Sequence, residues 1–324
     1  MTRLTTLAVL LAGASAFALP ATAKTFNLAF TPPLESHYGD AGKAFKAKIE
    51  ELSGGDIEIA LKPAGALGGE RDVIEGLQIG TVELTISSTG PIGNFVPQVY
   101  ALDFPFLFKD YASAHAVLDG EIGQEILADF EPAGLVGLAW AENGFRHITD
   151  SKHPIRTPDD LKGIKLRTME NEVHIAAFKA LGAAPTPMSW TEVLTSLQQG
   201  TIDGQENPVP IITANNMWEI QKYASLTGHV YSPAAVVISK ITWDELSPEE
   251  QGWMKEAAKA AAEASRATVA KNETAGVEKM IANGMEVVTD IDKASFAAAV
   301  QPVYDEYAPK YSPELIQRIR DAQK

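Results

Sequence analysis

From residue 24 onward the chain switches between two hydrophobic periods. The stretch "TFNLAFT" (25–31) alternates, and its Phe and Thr content suits a strand. Apolar positions at Ala44, Phe45, Ala47, Ile49 and Leu52 then recur at helical spacing. They predict a helix over 39–52, stopped by Ser53-Gly54-Gly55. "DIEIALKP" (56–63) alternates again, a helix follows over 70–78 up to Gly80, and "TVELTIS" (81–87) is a third strand. Strand–helix–strand–helix–strand is the order of an α/β sheet.

The same order returns later. "GIKLRT" (163–168) reads as a strand, and Asn171 is placed to cap the helix "EVHIAAFKAL" (172–181), which Gly182 ends. "AAPTPM" (183–188) is extended. Ser189 and Glu192 form a capping-box pattern for "WTEVLTSLQQ" (190–199), closed by Gly200, and "TIDGQENP" (201–208) follows. Within these passages "LQIGTVE" (77–83) echoes "LQQGTID" (197–203) at an offset of 120 residues. Helix C-terminal chemistry accounts for the shared Gly and the β-branched residues after it, but not for the matching order of elements around it. The reading is two similar α/β lobes in one chain. The offset sets Ser87 against Asn207 and Ser88 against Pro208, so "SSTG" and "QENP" would face each other at strand ends across a cleft, where open α/β sheets hold ligands.

The last third is helical. Ser247-Pro248-Glu249-Glu250 combines an N-cap, Pro at the first helical position and Glu at the third, and the pattern then runs to Gly284. About 36 residues at ~1.5 Å each make ~54 Å, longer than one lobe. Such a helix either braces both lobes or breaks near Asn272. With it the chain would cross between lobes more than once, and multiple crossings make a hinge.

The ends and the charge narrow the class. "MTRLTTLAVLLAGASAFALPATAK" carries Arg3, an apolar run from Leu7 to Leu19 and then Ala21-Thr22-Ala23, the pattern of a secretory signal peptide cleaved after Ala23. No later apolar run is long enough to span a bilayer. The formal net charge of −15 becomes −16 when Arg3 is lost, and there is no Lys/Arg run, which argues against nucleic acid or an anionic membrane as partner. The chain has no cysteine, hence no thiol nucleophile. It also lacks a G-x-S-x-G elbow, a Walker loop, G-x-G-x-x-G and H-E-x-x-H. His37, His115, His147, His153, His174 and His229 fit no zinc spacing, so neither a metal nor a cofactor is expected. Asp159-Asp160 after "TP" suits the first turn of a helix.

Against this acidic background "GIKLRTMEN" (163–171) ends a strand on Arg167 and then opens a helix. A cation at a strand's carboxyl end beside a helix N-terminus is a place where α/β proteins hold anions, although a solvated surface strand gives the same pattern. This passage, with "PAGALGGERDVIEGLQIGTVEL" (63–84), "LDFPFLF" (102–108), "NGFRHIT" (143–149), "DLKGIKLR" (160–167) and "DGQENP" (203–208), resembles the DctP-type solute-binding proteins of tripartite ATP-independent periplasmic (TRAP) transporters. The resemblance covers essentially all of the chain after the leader.

That resemblance implies a two-lobed, type II periplasmic binding protein fold with hinge strands and a long helix spanning both lobes. The expected division is 24–143 plus 233–273 for the first lobe and 144–232 plus 274–324 for the second. It further implies a monomeric periplasmic receptor, without catalytic residues, that passes a small organic acid to integral membrane TRAP permease subunits. Arg167 would form a salt bridge with the ligand carboxylate, a role suited to its planar and permanently charged fork. Asn207, Arg146 and Trp190 would be further contacts. Each has a plainer alternative: a turn residue before Pro208, an ordering residue in a hinge loop, and a core aromatic. First-lobe contacts are expected among Glu35, His37, Tyr38, Glu70, Ser87 and Ser88. Many sialic-acid members read "LRVPN" where this chain has "LRTMEN", so Met169 and Glu170 turn the expectation toward dicarboxylates, uronates and other sugar acids. Two further classes stay open. One is an exported enzyme with Arg167 as anchor and Glu206 or Glu170 as base, and the other is a ligand sensor for a membrane kinase.

Overall fold

The computed structural model describes residues 23–323. The expected leader lies outside these residues apart from Ala23. The strands are β1 (Lys24–Ala29), β2 (Ile57–Lys62), β3 (Leu84–Ser88), β4 (Leu135–Asp150), β5 (Lys165–Thr168), β6 (Ala184–Pro187), β7 (Gly204–Asn207), β8 (Tyr223–Ser239) and β9 (Glu286–Val288). They join in one sheet of order β2-β1-β3-β8-β4-β7-β5-β6, with β9 beside β8.

Two long strands tie its halves together. The carboxyl part of β8 pairs with β3, and its amino part pairs with β9. The carboxyl part of β4 pairs with β7, while β4 and β8 pair antiparallel along most of their lengths. Their register shifts at Gly137/Ala139, Glu142/Gly144 and Arg146/Ile148. Such bulges bend and twist a ladder, which lets one strand pair serve two differently oriented halves. Gly144 sits at the middle shift with φ +121°, a conformation that side chains resist. A Cβ there would also meet Tyr111 and Pro208.

A third connection is the helix Pro248–Ala282, with Ser247 and Glu250 closing its capping box. Its 35 residues give ~52 Å, and it runs unbroken through Asn272, whose amide bonds back to the Thr268 carbonyl. Small buried residues (Ala257, Ala258, Ala261, Ser265, Gly276) let it lie close to its neighbours. Ser265 accepts from the Glu142 N–H of β4, and Thr268 donates to Asp40 of the helix His37–Leu52.

The echo at offset 120 holds as structure. Helices Glu70–Gln78 and Trp190–Gln198 are both nine residues long, and β3 and β7 follow them at the same spacing. Ser87 opposes Ala235 of β8, and Asn207 opposes His147 of β4. Apolar side chains gather on the two faces of the sheet: Ala235 and Val237 join one cluster, Val236 and Ile238 the other.

Two expectations need correction. Asn171 caps its helix, accepting from the His174 N–H, but Ser189 makes no side-chain capping bond, because its hydroxyl is drawn to Glu70 and Thr191. The C-terminal segment is not confined to the second half. Helix Pro313–Asp321 returns to the first, where Arg318 pairs with Glu125 and Tyr311 packs on Tyr100.

Candidate ligand-binding site

β5 delivers Arg167 to the cleft while its neighbour Leu166 enters the core, as alternation in a strand requires. Arg167 is 2 % exposed. Its Nε and Nη2 donate to the Met188 carbonyl at 3.0 and 2.7 Å, and its guanidinium carbon lies 5.6 Å from the Trp190 ring centroid. Among the described residues no carboxylate reaches it within ion-pair distance. Burial pulls its pKa down to about 10, opposed by the more distant Glu70 and Glu206, so it stays charged near neutrality. Two donors are spent on a neutral carbonyl, and the Nη1/Nη2 edge is left for something else. A buried guanidinium without an anion is an electrostatic debt that a ligand carboxylate would settle.

The first half supplies the facing wall. Glu70 opens its helix and accepts from Thr31 Oγ1 at 2.8 Å; it also accepts from Ser189 Oγ of the other half at 3.2 Å. Ser87 and Ser88 end β3. Ser88 accepts from Asn143 Nδ2 at 3.2 Å, and Ser87 Oγ is buried without a hydrogen-bond partner among the described residues. Arg167, Trp190, Asn207, Glu70, Ser87, Ser88 and Tyr38 therefore enclose one cavity between the halves, joined by Thr31, Pro32, Asn143, Met169 and Ile211.

Arg146 lies behind this wall, not in it. It is fully buried, and its Nε and Nη2 grip the Glu206 carboxylate at 2.5 and 2.8 Å. Burial pushes Glu206 up, but Arg146 and the nearby His229 outweigh it and hold this carboxyl well below the usual range. With its charge met, Arg146 uses Nη2 to donate to Asn207 Oδ1 at 3.2 Å, while Asn207 Nδ2 donates to Gln205. The pair fixes which way the Asn207 amide faces. His37 packs edge-on to Tyr38 with ring centroids 4.8 Å apart, and burial pushes its pKa down to about 3. With the exposed Glu35 it borders a separate pocket of about 410 Å³, beside Asn272 and Lys279. A wider groove of about 750 Å³ runs past Trp140 and Arg266, but Arg266 is already paired with Asp119 at 2.7 Å.

Residues 29–310 match the family described as bacterial extracellular solute-binding protein, family 7 (DctP). The chain belongs to this family. Its fold is the family's two-lobed periplasmic binding protein architecture, and its family members serve TRAP transport. A Bordetella TRAP periplasmic solute-binding protein, with ligand density assigned to pantoate, is 51 % identical at a TM-score of 0.90, over 92 % of this chain and 99 % of that one. A TRAP protein from Polaromonas bound to D-erythronate is 45 % identical at a TM-score of 0.90, over 92 % and 98 %. The Escherichia coli 2,3-diketo-L-gulonate-binding periplasmic protein is 38 % identical over 92 % of this chain and 91 % of its own length.

Among the pocket residues, Thr31, Pro32, Asn143, Met169 and Ile211 were not expected as contacts. Asn143 and Met169 lie in motifs already singled out, and Ile211 follows "QENP" by one helical turn. Which side of the strand or helix each presents depends on the bulges and on lobe packing.

Proposed function

We propose that this DctP-family protein is a periplasmic receptor for a small hydroxylated carboxylate, which it carries to a TRAP permease. The observation that carries the reading is Arg167: buried in a cavity between two lobes, charged, and without a carboxylate partner among the described residues. A ligand carboxylate on its free edge would make charge-assisted bonds worth ~1.5–3 kcal/mol net, more once closure removes water. Ser87, Asn207 and Glu70 supply one unpartnered hydroxyl, an oriented amide and an acceptor for ligand hydroxyls. Pantoate and erythronate in the relatives above have this chemistry. On this reading the lobes divide on β4 near Gly144 and on β8 near Pro233, export removes the first 23 residues, and the ligand is released unaltered.

A thermal-shift screen over mono-, di- and sugar acids tests it. An acid at ~100 times its Kd raises stability by ~2.7 kcal/mol. D-Erythronate and pantoate are expected to raise the melting temperature, while erythritol, which lacks the carboxylate, is expected to leave it unchanged. No response to any acid, or an equal response to erythritol, would overturn the reading.

A further inference from the structure

One of the side chains that line the cavity is flexible and apolar. Met169 directly follows β5, two residues beyond Arg167. It is 5 % exposed and lines the cavity. Its thioether crosses to the other lobe, where it rests on Gly90 in the short helix Thr89–Ile92: a Cβ built on Gly90 would lie 2.8 Å from Met169 Cε and 3.0 Å from Sδ. Among the described residues Met169 makes no hydrogen bond through its side chain, whereas Arg167, Glu70, Ser88 and Asn207, which line the same cavity, are each tied to a partner. Only about 30 Å³ of the cavity is free, less than a small acid occupies. A ligand must therefore displace something, and the unbranched thioether, with three rotatable bonds, is the part that yields most readily.

We infer that Met169 is the size-limiting wall of the site, and that with Gly90 opposite it selects compact acids of about four main-chain carbons over six-membered uronate rings. This rests on the proposal that an acid binds at Arg167. A small acid needs the tip of Met169 to shift while the lobes keep their contact at Gly90. A rigid ring needs the whole side chain out of the way, and that contact is then lost.

The test is calorimetric titration of D-erythronate and D-glucuronate into the wild-type protein, Met169→Ala and Met169→Leu. The wild type is expected to favour erythronate at least tenfold. Met169→Ala is expected to shift the ratio of the two affinities toward glucuronate by tenfold or more, and Met169→Leu to keep the preference. Equal changes for both acids in Met169→Ala, or no wild-type preference, would overturn the inference. If the wild type bound neither acid nor pantoate, the receptor reading itself would fall and this inference with it.

Discussion

Two buried arginines in one protein show how position decides role. Arg146 and Glu206 neutralise each other, and among the described residues Arg167 has only a carbonyl and an aromatic face. Their removal should therefore act in opposite senses. Arg167→Ala should cost ~3–5 kcal/mol of acid binding while leaving the stability of the ligand-free protein unchanged or improved, because it removes a buried charge that has no carboxylate partner among the described residues. Arg167→Lys should also bind more weakly, since an ammonium cannot reproduce the fork. Arg146→Ala should destabilise the fold by ~3–5 kcal/mol, because it strands Glu206. Calorimetry and denaturant unfolding separate these effects. Unimpaired binding by Arg167→Ala, or equal destabilisation by both alanine variants, would contradict the assignment. That Arg167 and Asn207 face the cavity was legible, because strand ends in α/β lobes converge on the cleft. The place of Arg146 was not, because β4–β7 pairing brings Glu206 to it, and no local pattern encodes that pairing. His37 and Glu35 sit one and three residues from Tyr38, but around the start of helix His37–Leu52 the chain turns them toward a different pocket from the cavity that Tyr38 lines.

At the scale of elements, the N-cap of one helix doubles as a fastening between lobes. Asn171 caps helix Glu172–Ala180 through Oδ1 and donates through Nδ2 to Asp103 Oδ2 at 2.7 Å; Thr89 donates to Asp103 Oδ1 at 2.6 Å. Burial raises the Asp103 pKa to about 7; the Thr89 and Asn171 bonds and the Arg146 charge oppose the rise, and Glu206 adds to it. The folded protein thus holds a proton between about pH 4 and pH 7 that the unfolded chain releases. The stabilising contribution of Asp103 is full below about pH 4 and is lost as pH rises through about 7. Asp103→Asn cannot titrate, so its melting temperature relative to the wild type should rise from pH 5 to pH 8. Burial lowers the pKa of His37, His147 and His174 to about 3, which costs stability on acidification, but all three are common to both proteins and cancel in the comparison. A melting difference independent of pH would remove Asp103 as the cause. Helices with strong periodicity and local caps were legible here, Glu70–Gln78 to the residue. The expected crossings at 143/144 and 232/233 fall within β4 and β8, but these long strands were not legible as elements, since they are buried on both faces where they cross and lose simple alternation. The Ser189 capping box failed because Glu70, 119 residues away, competes for the hydroxyl.

For the whole molecule, the lobes are in contact. Glu70–Ser189, Asp103–Asn171 and the bond from Asn94 Nδ2 to the Glu170 carbonyl at 2.7 Å all cross the cleft. β4, β8 and the helix Pro248–Ala282 join the lobes, and the C-terminal segment crosses back over them to Glu125. A ligand favours this closed arrangement only to the extent that it binds it better than an open one. On the proposed reading, a carboxylate on Arg167 with hydroxyls on Ser87 and Glu70 would touch both walls and supply that difference. The two-lobe plan was legible in the 120-residue echo, whereas the return of the last helix to the first lobe depends on tertiary pairing with no repeat behind it. The most direct measurement is a crystal structure with D-erythronate or pantoate bound. The expected result is a carboxylate accepting from Arg167 Nη1 and Nη2 at ~2.7–2.9 Å, inside the cavity between the lobes. An acid seated in the groove beside Arg266 or next to His37, with Arg167 still bound only to the Met188 carbonyl, would contradict the central claim.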